Sequence, residues 1–185
     1  VYDDFVARFL DTVDGFTVGD PASPDTYIGP LTRPQQIAVL DAQVADATAK
    51  GAKVLRGGSA RSVDGQPGWF EPTVLVDVTS DMAVMRDESF GPIIGIERVT
   101  DDDEALERMN DTEFGLTAGV YTPDETRALG LLAKVDAGSA YWNCCDRVSP
   151  RLPWSGRGQS GIGSTLSTVG ITAFTKPKAW HRRSA

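Results

Sequence analysis

"PIIGIERV" (residues 92–99) is a strand-like apolar run, and the pattern that it opens decides the fold. A short helical segment (101–110) follows, then the strand-like run "LTAGVY" (116–121), a longer helical segment (122–138) and the strand-like run "SAYWN" (139–143). Strands that alternate with helices through short loops are typical of βαβ units. The sequence therefore predicts an α/β fold with a mainly parallel sheet and right-handed connections.

The first fifty residues predict two helices. Four apolar side chains recur at helical spacing before Gly15, namely Tyr2, Phe5, Phe9 and Val13. Residues 19–30 are rich in Gly, Pro, Asp and Ser and predict a loop. Thr32 and Gln35 then match a capping box, and Gly51 is the expected end of the second helix.

The rest of the chain supplies strands, one more capped helix and a tail. "KVLR" (53–56) predicts a strand, 57–68 a Gly-rich loop, and 69–78 a strand broken at Pro72. Thr122 and Glu125 match a capping box, with Pro123 as the first helical residue and Gly138 as the cap beyond the end. The tail, 170–183, has the composition of a strand and ends in basic residues.

Composition is that of a soluble globular protein, with 41% hydrophobic and 24% charged residues. The net charge of −8 argues against a nucleic-acid-binding face, and no apolar run reaches the roughly 20 residues that span a bilayer. Cys144 and Cys145 are the only cysteines and His181 the only histidine, so neither a disulfide framework nor a structural zinc site is expected. The expected location is a reducing cytoplasm.

"RDESFGPIIG" (86–95) is the strongest candidate for a binding site. Glu88 stands two residues before Phe90, where a loop enters a strand. One interpretation is a turn before a strand. The other is a site in which Glu88 holds a polar ligand and Phe90 covers its flat ring.

Three further patterns each have a structural alternative. Gly156, Gly158 and Gly161 spell G-x-G-x-x-G, but the preceding strand is distant and no good helix follows, which favours a structural loop. Cys144 and Cys145 follow a predicted strand end, where they could be nucleophiles, line a pocket or simply be buried. The three acids at 101–103 are more typical of charges at a helix start than of a metal site.

Several motifs in order resemble the NAD(P)-dependent aldehyde dehydrogenases. They are "GPLTRPQQIAVLDAQVADATAKGAKVLRGG" (29–58), "GWFEPTVLVDV" (68–78), "MRDESFGPIIGI" (85–96), "NDTEFGLTAGVYT" (110–122), "AGSAYWNCC" (137–145) and "LPWSGRGQSGIG" (152–163). The resemblance covers about residues 1–180. It implies a three-layer αβα catalytic-domain fold and NAD or NADP as cofactor.

The resemblance also implies roles for individual residues. Glu88 matches the glutamate that accepts hydrogen bonds from the nicotinamide ribose, and Phe90 the aromatic that packs near the nicotinamide ring. Gln36 matches a position near the adenine-ribose end of the cofactor, although Val39 replaces a lysine common in relatives. The substrate tunnel would be lined by Cys144, Cys145 and Trp154. The segment 144–156 departs from common relatives, so the resemblance does not name the aldehyde.

The resemblance places this chain in the C-terminal part of such an enzyme. A catalytic cysteine, a general-base glutamate and the cofactor-binding domain would lie upstream, so we expect no catalytic residue and no dehydrogenase activity in this chain alone. Residues 1–164 would be a partial catalytic domain, incomplete at its N-terminus, and 165–185 an arm for homo-oligomerisation. The alternatives are a truncated, non-catalytic module that associates with subunits of a complete relative, or a remnant without function.

Overall fold

The computed structural model describes residues 1–144 and 147–184. The chain divides into two compact units, one covering residues 1–99 and the other beginning at residue 100. The helices and strands, in chain order, are α1 (Tyr2–Asp14), α2 (Gln36–Ala49), β1 (Lys53–Arg56), β2 (Ala60–Val63), β3 (Gln66–Phe70), β4 (Thr73–Val76), α3 (Ala83–Arg86), β5 (Ile93–Ile96), α4 (Asp102–Asn110), β6 (Thr117–Val120), α5 (Glu125–Leu132), β7 (Ser139–Trp142) and α6 (Ser167–Thr172). The strand–helix alternation from residue 93 onward is confirmed.

The first unit contains a mixed sheet, so the prediction of a mainly parallel sheet is wrong. Its three strands lie in the order β1-β4-β5, with β1 antiparallel and β5 parallel to β4. The direction of each strand follows from its connection, because two parallel strands must be joined by a crossover, which is usually a helix. The helix α3 lies between β4 and β5, whereas no helix lies between β1 and β4.

Residues 57–68, predicted to be a loop, contribute to an antiparallel hairpin of β2 and β3. Asp64 and Gly65 lie at its tip with φ of 50° and 76°. Two consecutive positive φ angles are the conformation that an Asp-Gly turn favours, because its twist matches that of the flanking strands. The Asp-Gly pair was therefore a hairpin signal in the sequence.

The core of the first unit lies under α2 and beside β4. Its buried hydrophobic cluster consists of Ala47, Ala52, Leu75, Val78 and Met82. The four residues of β4 are all buried, as expected for the central strand of a sheet that is covered on both faces. This core fixes the direction in which the chain leaves α3 and enters β5.

Neither predicted capping box forms. The helix α2 begins at Gln36, after turns in which the Gln36 N–H donates to the Arg33 carbonyl at 3.0 Å. In the second unit the N-cap of α5 is Asp124, whose carboxylate accepts from the Arg127 N–H at 3.0 Å. Thr122 is held instead by Asn143, whose Oδ1 accepts from the Thr122 N–H at 2.9 Å.

The second unit pairs β6 and β7 in parallel, and α5 packs against both strands. Because α5 ends at Leu132, the prediction of Gly138 as its cap is wrong. Gly138 instead leads into β7, and its N–H donates to the Gly115 carbonyl at 3.0 Å.

The prediction of a strand in the tail, residues 170–183, is wrong at its start, because α6 (Ser167–Thr172) extends into it. The N–H of Gly170 donates to the Leu166 carbonyl at 2.7 Å, and that of Phe174 to the Ile171 carbonyl at 3.1 Å. A strand needs a neighbouring edge to satisfy its backbone groups. None of the strands in the described ranges pairs with this segment, so local helical bonds form instead.

Candidate functional site

The loop that carries Glu88 and Phe90 joins α3 to β5 and is fixed at both ends. Before the loop, the Asp46 carboxylate on α2 fixes α3 by accepting from the N–H of Ala83, its first residue, at 2.8 Å. That hydrogen bond, together with the Lys50 ammonium, lowers the pKa of Asp46, so the acceptor stays ionised at neutral pH. At its end, the Thr73 N–H on β4 donates to the Pro92 carbonyl at 2.7 Å.

Gly91 lets this loop pass close to α2. A Cβ atom at Gly91 would lie 2.4 Å from a methyl carbon of Leu40, which is fully buried. The glycine therefore serves close packing of the loop against the helix.

Phe90 is both strained and exposed. Its φ of 43° lies in the left-handed region, which costs a residue other than glycine about 1–3 kcal/mol. Its side chain is 77% exposed, so burial returns little of that cost. A strained backbone that presents an aromatic face to solvent contributes nothing evident to stability, and this favours the ligand interpretation over a simple turn.

Glu88 is exposed two residues earlier. Within the described ranges its carboxylate has no hydrogen-bond or ion-pair partner, whereas many other acids of the chain are paired. An ionised carboxylate can accept from several hydroxyl groups at once. Glu88 is therefore free to hold a ligand.

Gln36 lies beside this loop, since its Nε2 donates to the Ser89 carbonyl at 2.5 Å. Gln36 and Phe90 line one cleft of about 310 Å³, together with Thr32 and Arg33. The structure thus places Gln36, which the resemblance assigned near the adenine-ribose end of the cofactor, in one cleft with Phe90 and against the loop that carries Glu88. The contribution of Arg33 was not predicted, and its only sequence signal was a basic residue three positions before Gln36.

In the second unit, Trp154 lines a cleft of about 210 Å³ formed by β7 and the loop that follows it. Trp154 is held by two backbone hydrogen bonds with Thr165, of 2.8 and 2.9 Å. The same cleft contains Arg147, Ser149 and Tyr141. Cys144 is partly buried just beyond β7, and Cys145 lies outside the described residues.

The G-x-G-x-x-G stretch serves backbone packing in the structure. A Cβ atom at Gly158 would lie 2.2 Å from the Glu113 carbonyl oxygen, and one at Gly156 would lie 2.8 Å from that of Ser160. Gly158 also pairs with Phe114 in an isolated antiparallel bridge. These contacts account for two of the glycines without a phosphate.

Two of the three acids at 101–103, Asp101 and Asp102, have partners within the second unit. Asp101 caps α4 by accepting from the Glu104 N–H at 2.9 Å. The Asp102 carboxylate accepts from Arg127 Nε at 2.6 Å, which lowers the pKa of Asp102. Within residues 1–144 and 147–184, no three His, Cys, Asp or Glu side chains are grouped so that they could hold a metal ion. No helix in those ranges is long and apolar enough to cross a membrane.

Comparison with known proteins identifies the family. The aldehyde dehydrogenase family model matches residues 1–180, so this chain belongs to the aldehyde dehydrogenase family. Among curated relatives, the succinate-semialdehyde dehydrogenase [NADP(+)] of Deinococcus radiodurans is 41% identical over 96% of this chain and 37% of its own length. The corresponding enzyme 1 of Mycobacterium tuberculosis H37Rv is 40% identical over 96% of this chain and 38% of its own length.

Solved structures agree on the α/β fold. A betaine aldehyde dehydrogenase from Staphylococcus aureus, in complex with NAD+, has a TM-score of 0.88 at 28% identity, over 94% of this chain and 36% of that chain. A 3,6-anhydro-L-galactose dehydrogenase in complex with NADP has a TM-score of 0.88 at 34% identity, over 92% of this chain and 36% of that chain. This chain therefore spans between a third and two fifths of the length of the relatives that it matches.

Proposed function

We propose that this chain is the C-terminal segment of an NAD(P)-dependent aldehyde dehydrogenase and supplies the surface that holds the nicotinamide riboside half of the cofactor. The observation that carries the proposal is the strained, exposed Phe90 beside an unpaired Glu88 on a loop braced by Gln36. The family membership and the cofactors named for the relatives support it.

Each residue has a defined part in this proposal. The Glu88 carboxylate accepts from the two vicinal hydroxyls of the ribose, and the face of Phe90 packs on the nicotinamide ring. Gln36 fixes the loop through the Ser89 carbonyl and so keeps both groups in register. When bound, the cofactor supplies a hydride acceptor for the oxidation of an aldehyde to a carboxylic acid.

Covalent catalysis would come from residues outside this chain. The family resemblance assigns the nucleophilic cysteine and the general base to a preceding segment, and Cys144 to the substrate tunnel. Succinate semialdehyde is the first substrate to test, because the relatives at 40–41% identity act on it. Arg147 and Ser149 in the second cleft offer a cation and a hydroxyl to the acid group of such a substrate.

The test is a chimera in which this chain replaces the matching 179 residues of the D. radiodurans enzyme. We expect the folded chimera to reduce NADP+ with succinate semialdehyde, followed at 340 nm, and this chain alone to reduce none because it lacks the nucleophile. Butanal, which has no acid group, is the matched control substrate. Cofactor reduction by this chain alone, or a folded chimera that is inactive with every aldehyde, would contradict the proposal.

A second candidate function is a non-catalytic module that binds subunits of a complete relative. The tail favours it, because Ile171, Phe174 and Trp180 are 67%, 94% and 76% exposed. Apolar side chains so exposed on one segment are typical of an interaction surface. Lys178 lies over the Trp180 ring at 4.6 Å, a cation–π contact within the tail.

Removal of residues 166–185, which leaves only Thr165 of the arm because it pairs with Trp154, is expected to convert oligomers of this chain into monomers, since the exposed apolar side chains of the tail would be lost. Size exclusion with light scattering measures the mass directly. The matched control is the full-length chain with Lys176 and Lys178 changed to Gln, which keeps the apolar side chains and should keep the oligomer. A full-length chain that is already a monodisperse monomer would contradict the assignment of an arm.

A further inference from the structure

Arg33 is the charged residue of the candidate cofactor cleft. Of the described residues that line this cleft, Thr32, Gln36 and Phe90 are uncharged. The Arg33 side chain is exposed, and within residues 1–144 and 147–184 it has no ion-pair or hydrogen-bond partner. An unpaired guanidinium at this cleft is available to an anionic group of a ligand.

The position of Arg33 relative to the other cleft residues is set by the backbone. The Gln36 N–H donates to the Arg33 carbonyl at 3.0 Å, so Arg33 is one turn from the residue that braces the Glu88–Phe90 loop. Pro34 restricts the conformation of that turn. The guanidinium therefore extends from a fixed backbone rather than from a free loop.

We infer that Arg33 binds the phosphate attached to the nicotinamide ribose, an inference that rests on the proposed function. In a nicotinamide nucleotide the ring, the ribose hydroxyls and the 5′-phosphate present three different chemistries. Phe90 matches the ring and Glu88 the hydroxyls, which leaves the phosphate without a partner in this chain. A guanidinium suits it because it can donate two parallel hydrogen bonds to phosphate oxygens.

Two ligands that differ only in this phosphate separate its contribution to the binding free energy from that of the ring and the ribose. Nicotinamide mononucleotide carries the phosphate, and nicotinamide riboside lacks it. Arg33→Gln in the full 185-residue chain is expected to weaken binding of the mononucleotide about fivefold, the effect of losing one exposed charge pair. Binding of the riboside should stay unchanged. The loss should shrink in about 1 M salt, where the screening length is about 3 Å.

Arg61→Gln is the matched control, because Arg61 is also exposed and lies at a different cleft, with Arg56 and Glu71. It changes the net charge equally and should leave both affinities unchanged. Dissociation constants from NMR titration decide the outcome. Two results would overturn the inference about Arg33 but not the proposed function. One is an equal loss of affinity in both arginine variants, and the other is an Arg33→Gln variant that binds the mononucleotide as well as the wild type does. Failure of both ligands to bind the wild-type chain overturns the proposed function as well.

Discussion

Glu88→Gln should weaken the binding of nicotinamide riboside to this chain about tenfold to a hundredfold, because a hydrogen bond to a charged group contributes about 1.5–3 kcal/mol. The amide keeps the size of the side chain, but it replaces one of the two acceptor oxygens of the carboxylate with an NH2 group, which donates hydrogen bonds. Since Glu88 has no partner in the described residues, the substitution breaks no contact in the free protein. Isothermal titration or NMR titration measures the loss.

Glu107→Gln is the matched control for Glu88→Gln. Glu107 is an exposed acid on α4, so this variant makes the same change in net charge outside the candidate site. Its affinity for the riboside should equal that of the wild type. If both variants lose affinity equally, the ligand responds to the overall charge of the protein and not to a hydrogen bond at Glu88.

Phe90→Gly separates binding from folding at the same site. Glycine adopts positive φ without strain, and little apolar area is lost because Phe90 is 77% exposed. The free energy of unfolding should therefore stay within about 1 kcal/mol of the wild-type value while riboside binding weakens. A variant that unfolds much more easily would show that Phe90 has a structural role.

Gly138→Ala is expected to destabilise the second unit by about 3 kcal/mol or more. A Cβ atom at Gly138 would lie 1.6 Å from the Ser155 carbonyl oxygen, which is backbone and cannot rotate away. The loop that carries Trp154 would have to leave the start of β7. Urea unfolding followed by circular dichroism gives the change in free energy.

Gly130→Ala is the matched control for Gly138→Ala. Gly130 lies within α5, and a Cβ atom there would meet nothing within 4 Å. Alanine should stabilise the helix there by about 1 kcal/mol. A tolerated Gly138→Ala variant would contradict the close approach of this loop to β7.

The elements that the sequence predicted correctly are those whose signals are local. α1 and the alternation from residue 93 follow from spacing within one segment. The direction of β1 could not be predicted in this way, because it depends on its pairing with β4 twenty residues away. The predicted capping box at Thr122 does not form for a similar reason: the Thr122 N–H donates to Asn143, which directly follows β7 and lies 21 residues further along the chain. The Asp64–Gly65 turn, by contrast, was a local signal that the loop prediction overlooked.

The sequence selected candidate site residues but not their geometry. Glu88 and Phe90 were selected as candidates from their spacing and from the family resemblance. The sequence gives no indication that Phe90 has a positive φ or that Gln36 binds the Ser89 carbonyl, because the latter joins residues 53 positions apart and the former is unusual for a residue other than glycine. The role proposed for Arg33 likewise depends on the cleft that it shares with Gln36 and Phe90.

The central claim is that the Glu88–Phe90 loop and Gln36 form the surface that binds the nicotinamide riboside half of the cofactor. The most direct measurement is an amide NMR titration of the uniformly labelled chain with nicotinamide riboside. The account predicts saturable shifts that are largest at the amides of Gln36, Ser89 and Phe90, and that are lost in Phe90→Gly. Shifts centred elsewhere in the chain, or no saturable shift at all, would contradict it.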